Sequence, residues 1–126
     1  MFGRLVVHTV VVLAVVVTLS TAGSGTEQAA AVSACSGRPA KTVPFATGEL
    51  RIHKTRQYVC ALAVARQPGA RREMSVSLQP RGGHAAVDKG HFTRQAGPVT
   101  VHALNRCVRV SGTIAGKSAS TGWILC

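Results

Sequence analysis

Between residues 50 and 114 apolar side chains recur at every second position in a series of short runs, and no stretch there repeats with the 3.6-residue period of a helix. Leu50 and Ile52 alternate with Arg51 and His53. Met74, Val76 and Leu78 alternate with Ser75, Ser77 and Gln79, and Val99, Val101 and Ala103 with Thr100 and His102. Val108, Val110 and Ile114 share a phase with Gly112, against Arg109, Ser111 and Thr113. Successive side chains of a strand point to opposite faces, so each run predicts a strand with one face turned inward. The run from Tyr58 to Ala65 is apolar in both phases, with Tyr58, Cys60, Leu62 and Val64 on one and Val59, Ala61, Ala63 and Ala65 on the other. A strand apolar on both faces is expected at the centre of a sheet. Turn-forming residues separate the runs in "RPAK", "HKTRQ", "QPGAR", "PRGGH", "AGP", "LNR" and "AGKSASTG", and "WILC" supplies a last short strand. Six or seven short strands predict an all-β fold, a small antiparallel sandwich or barrel.

The residues before this pattern read differently. "MFGR" is short and basic, Leu5 to Leu19 is an apolar run broken by His8 and Thr9, and small, weakly polar residues follow to Ala34. The unbroken apolar part is shorter than the ~20 residues that span a bilayer. That layout predicts a secretory signal peptide over residues 1–34, with cleavage after Ala34 favoured over cleavage after Ala22, and a single domain over residues 35–126 with no transmembrane segment. Val32-Ser33-Ala34-Cys35 also spells a lipoprotein cleavage box, but such a box abuts the apolar run, and here some fifteen residues intervene.

All four cysteines, Cys35, Cys60, Cys107 and Cys126, fall in the expected mature chain. An even set in a small exported domain predicts two disulfides, and the wide gaps between them do not give the close Cys pairs of a zinc site. A hairpin of residues 107–115 with 122–126 would bring Cys107 to Cys126, which leaves Cys35 for Cys60. Cys107 is in phase with polar Arg109 and Ser111, so this pairing requires a bulge or a break in the strand.

Residues 35–126 contain fourteen Lys and Arg against Glu49, Glu73 and Asp88, so the net charge of +11 lies in this part of the chain. An exported protein of that charge is expected to adhere to anionic polymers. Arg51, Lys54, Arg56, Arg71, Arg72 and Arg109 are the candidate contacts, and Arg71-Arg72 is the one adjacent pair. The chain lacks the interleaved aromatic residues that stack on bases, so specific nucleic-acid recognition is not expected.

Catalytic chemistry is hard to find. "GTIAGKS" resembles a phosphate-binding loop, but the first glycine should stand at Ser111, Gly112 is one residue too close, and no helix can follow in "ASTGWILC". A hairpin turn is the simpler expectation. His84, Asp88 and His91 lie in the Gly-rich stretch "RGGHAAVDKGHF", expected to be an exposed loop with solvated histidines, and His53 and His102 are expected on polar strand faces. Three scattered carboxylates give no catalytic pair, and no Gly-x-Ser-x-Gly elbow occurs. A protein without enzymatic activity and without cofactor is expected.

The run Asp88-Lys89-Gly90-His91-Phe92, with Ala96-Gly97-Pro98-Val99-Thr100-Val101, Cys107-Val108 and Gly112-Thr113-Ile114, resembles the spore-associated protein A family. The resemblance extends upstream through Cys60-Ala61-Leu62-Ala63-Val64-Ala65-Arg66 and Met74. Members are small exported proteins of filamentous, spore-forming bacteria whose mature part begins with a cysteine. The resemblance implies secretion and association with a spore surface, a disulfide rather than a lipid on Cys35, and no assigned catalytic residues. Family strands tend to be rich in Tyr, whereas this mature chain has only Phe45, Tyr58, Phe92 and Trp123 as aromatics. Two functions are therefore expected to compete. The first is a basic surface protein held on spore or wall polymers. The second is a secreted inhibitor whose exposed loop, around Arg71-Arg72 or in "PRGGHAA", enters the site of a protease.

Overall fold

The computed structural model describes residues 35–126, and the expected signal segment lies outside them. Eight strands and no helix form among the described residues: β1 (Lys41–Phe45), β2 (Gly48–Lys54), β3 (Tyr58–Ala65), β4 (Arg72–Pro80), β5 (Ala86–Phe92), β6 (Gln95–His102), β7 (Val108–Ile114) and β8 (Lys117–Ser120). They make two four-stranded antiparallel sheets, in the orders β1-β2-β3-β6 and β5-β4-β7-β8. The sheets pack face to face as a sandwich, so the expected fold class is found, with eight strands where the sequence predicted six or seven.

The period-two runs explain the core. Leu50 and Ile52 of β2, with Val59, Ala61, Ala63 and Ala65 of β3, face Met74, Val76 and Leu78 of β4 and Val108, Val110 and Ile114 of β7. Nearly all of these are fully buried, and no aromatic ring is among them. Small side chains let the layers approach closely. At Gly112 a Cβ would overlap Leu50 Cδ2, and at Gly48 it would overlap the Val64 carbonyl oxygen. As expected, β3 is an interior strand.

Three expectations are corrected. "AGP" is no turn. β6 runs through it, with a bulge against β3 between Ala61 and Ala63. Gly97 there has φ +88°, and its N–H donates to Asp88 Oδ2 of β5 at 2.8 Å. "HAAVDKGHF" is not a loop, because residues 86–92 pair with β4 along its whole length. "WILC" is not a strand either. It contributes one bridge, Val108 to Ile124, while the partner of β7 is β8, within the segment expected to be a turn. The "GTIAGKS" hairpin does form, around Ala115 and Gly116 at φ 51° and 81°. Both values are positive, as a tight two-residue hairpin turn requires.

Both disulfides join the expected partners, Cys35 with Cys60 and Cys107 with Cys126. Cys107 precedes β7, so its phase within that strand imposes no conflict. No free cysteine remains among the described residues.

Candidate anion-binding surface

The topology places alternate connections at opposite ends of the sandwich. One end carries the β1–β2, β3–β4, β5–β6 and β7–β8 turns; we call it the cleft end. The other carries the β2–β3, β4–β5 and β6–β7 connections, residues 35–40 and 121–126, and both disulfides; we call it the stapled end.

The six candidate cations do not converge. Arg71 and Arg72 lie at the cleft end, and Arg51 is on the outer face of β2 in the other sheet. Lys54, Arg56 and Arg109 lie toward the stapled end. All fourteen Lys and Arg of the described residues are exposed or half-buried. Ion pairs join only Arg51 to Glu49 (2.5 Å) and Lys89 to Glu73 (3.7 Å), so twelve of these cations have no carboxylate within 4 Å among the described residues. Such an excess of unpaired charge produces a positive potential over the whole domain.

The cleft end has two adjoining depressions. One, of about 240 Å³, is lined by Glu49, Arg51, Val64 and Arg66, and the other, of about 320 Å³, by Thr47, Arg66, Gln67 and Arg72. Their guanidiniums are largely turned to the protein itself. Arg51 serves Glu49, Arg66 Nη2 donates to the Phe45 carbonyl at 3.1 Å, and Arg72 donates to the carbonyls of Gln67 and Ala70. Gly69 N–H donates to the Thr93 carbonyl at 3.0 Å, which pins the β3–β4 loop. Arg71 is exposed there, while its neighbour Arg72 is folded back.

The stapled end is arranged differently. Register places Arg109 of β7 opposite Gln79 of β4 on the outer sheet face, and Arg109 Nη2 donates to Gln79 Oε1 at 2.7 Å. The tail returns along β7 through paired hydrogen bonds between Val108 and Ile124, of 2.8 and 2.9 Å. This sets Trp123 against the strand. Arg109 Cζ lies 4.8 Å from the indole centroid and Arg81 Cζ 5.5 Å from it, within the range of cation–π attraction. Arg81 is itself located by its N–H, which donates to the Cys107 carbonyl at 2.9 Å. Trp123 is 37% exposed, a large apolar ring at the surface of a protein with no other tryptophan.

The same outer face continues as two cross-strand rows of hydroxyls. Ser77 pairs with Ser111 and Ser111 with Ser120; Ser75 pairs with Thr113 and Thr113 with Ser118. No side-chain hydrogen bond among the described residues uses these six hydroxyls.

The histidines need one revision. His84 and His91 are exposed, but His91 and Asp88 sit on opposite faces of β5, and Asp88 serves the bulge at Gly97. No cluster of three or more His, Cys, Asp or Glu side chains able to hold a metal ion occurs among the described residues. His53, expected to be solvated, is only 5% exposed, and its Nδ1 has no hydrogen-bond partner. The cause is its register: His53 lies opposite Cys60, whose bridge to Cys35 brings the segment before β1 to this place. His102 is exposed and meets the Tyr58 ring edge-on at 5.4 Å.

Sequence reasoning missed Arg81 and Trp123. A signal was present, because a Cys107–Cys126 bridge obliges the residues just before Cys126 to run beside the start of β7. No family model, no curated protein and no solved structure matches the chain.

Proposed function

We propose that this is a secreted, basic surface protein without enzymatic activity, held on the outside of cells or spores by attraction to anionic polymers. The observation that carries the reading is the set of twelve surface cations with no carboxylate partner on a domain of 92 residues with three acidic side chains. An excess of like charge without carboxylate partners costs self-repulsion, so an external polyanion is its natural counterpart. The signal-like first 34 residues and the two formed disulfides support export, since disulfides persist in oxidising compartments. The resemblance to the spore-associated protein A family supports a spore surface as the destination.

The test is to fractionate a sporulating culture and wash the particulate fraction with rising salt. Retention on spores or walls, followed by release as salt rises, is the expected result. The Debye length falls from ~10 Å at 0.1 M to ~3 Å at 1 M, which weakens contacts between exposed charges. A protein recovered free in the medium at low salt would contradict the reading.

A further inference from the structure

We propose that the outer face of the β5-β4-β7-β8 sheet is the docking surface for a linear anionic polysaccharide, with Arg81 and Arg109, held in place by Trp123, gripping its acidic groups. The inference rests on the adhesive reading above and names the polymer class and the place where it binds.

Arg81 and Arg109 both approach one indole ring, so their guanidinium carbons stand within about 10 Å of each other. Neither has a carboxylate within 4 Å among the described residues. Two like charges are thus held together by a ring and a glutamine amide, with nothing in the protein to neutralise them. The ring attraction and the Gln79 bond fix the guanidinium of Arg109 while occupying few of its five N–H donors. The remaining donors form a fork that suits a planar oxyanion, and because the fork is already ordered, less side-chain entropy is lost on binding. At the cleft end, by contrast, Arg51, Arg66 and Arg72 already donate to the protein's own oxygens.

The rest of the face selects among polyanions. Beyond the clamp lie the two hydroxyl rows, set ~4.8 Å apart between strands and ~6.7 Å apart along them. They offer uncharged donors and acceptors that match the hydroxyls of a sugar chain. Single-stranded nucleic acids are gripped by bare aromatic faces on which bases stack. Here the one indole already carries two guanidiniums, and Tyr58 belongs to the opposite sheet. A membrane surface would engage an apolar patch, whereas Val87, Leu104 and Trp123 are the exposed large apolar side chains and lie on separate connections or strands.

The experiment measures binding of the purified, disulfide-intact protein to polygalacturonate, dextran, duplex DNA and anionic phospholipid vesicles at low ionic strength. It compares wild type, Trp123→Ala, the double variant Arg81→Gln/Arg109→Gln, and a charge-matched control at the exposed cleft-end cations, Arg94→Gln/Lys117→Gln. We expect polygalacturonate to bind most tightly and dextran weakly. Trp123→Ala and the clamp double variant should each lose about tenfold or more in affinity, and the control about threefold or less. Equal losses in the clamp and control variants would overturn the site while leaving charge-driven adhesion intact. Tighter binding of DNA or vesicles than of polygalacturonate would overturn the polymer class. A wild-type protein that binds none of the three anionic probes would overturn the adhesive reading itself. Thermal melts of each variant, expected to match wild type at these exposed cations, separate lost binding from lost folding. If Trp123→Ala melts early, Trp123→Phe, which keeps a ring for the guanidiniums, is expected to restore the melt and most of the affinity.

Discussion

The two ends of the sandwich are held by different means. At the cleft end three two-residue turns and the longer β3–β4 loop are sewn to one another by hydrogen bonds. Arg66 N–H donates to the Thr47 carbonyl, Ala65 N–H to the Arg94 carbonyl, Ala115 N–H to the Glu73 carbonyl, and Thr47 Oγ1 to the Ile114 carbonyl, all at 2.8–2.9 Å. At the stapled end there are no two-residue turns, the described termini lie there, and two disulfides tie them down. The difference shows where a chain of this size needs covalent help. Short turns satisfy their own backbone groups, whereas a returning tail and a leading segment bury little apolar surface and gain more from a cross-link. It also shows what the cross-links position. At the cleft end Arg66 and Arg72 donate to the protein's own carbonyls, and at the stapled end Arg81 and Arg109 are held against Trp123.

The largest test of this contrast is removal of each bridge. Replacing Cys35 and Cys60 with Ala, or Cys107 and Cys126 with Ala, is expected to cost about 2–5 kcal/mol in denaturant unfolding. The first pair should cost more, because Cys60 is fully buried in an interior strand and the bridge covers His53. A larger cost for the second pair would break the comparison as drawn. Gly48→Ala comes next, at about 3 kcal/mol, since the new methyl would meet backbone that cannot swing aside. A neutral result would show that the cleft end yields more than its hydrogen bonds suggest. Asp88→Ala should cost about 2 kcal/mol by leaving the Gly97 N–H without its acceptor, with faster amide exchange at Gly97 as the local signature. The smallest effect has the opposite sign. His53→Leu is expected to raise stability by up to about 1 kcal/mol, because a buried imidazole nitrogen without a partner is replaced by an apolar group.

The strands that sequence periodicity revealed and those it hid divide along the same structural lines. β2, β3, β4 and β7 are interior strands, and their inward residues, from Leu50 to Ile114, must be apolar at every second position to fill the layer between sheets. β1, β5, β6 and β8 are edge strands, and of these only β6 showed in the periodicity, through Val99 and Val101, while the other three escaped. In β1 the sequence places Pro44, tolerated only where no neighbour needs its N–H. In β5 the most apolar residue, Val87, is 59% exposed, while the half-buried positions are Ala86, Asp88, Gly90 and Phe92, so the pattern runs in reverse. In β8, Ala119 alone is apolar. An edge strand is only half covered, and charge or Pro there discourages pairing with other chains, so its pattern carries little signal.

The candidate surface was legible in part. Arg109 was identified from its phase in β7 and the disulfides from their number and spacing. The clamp itself joins residues 81, 109 and 123, and only the folded register brings them to one ring. Composition gave the sign of the charge, and the structure divides it into cations used by the fold and cations left to the outside.

The most direct test of the central claim, that the stapled end meets the polymer, uses Trp123 as its own reporter, since the chain contains no other tryptophan. Polygalacturonate is titrated into the protein at low salt while indole emission is followed, with binding measured in parallel by co-sedimentation. The account predicts a saturable change in emission that tracks the sedimentation curve and reverses on adding salt. Full binding by sedimentation with unchanged Trp123 emission would place the contact elsewhere on the molecule and contradict it.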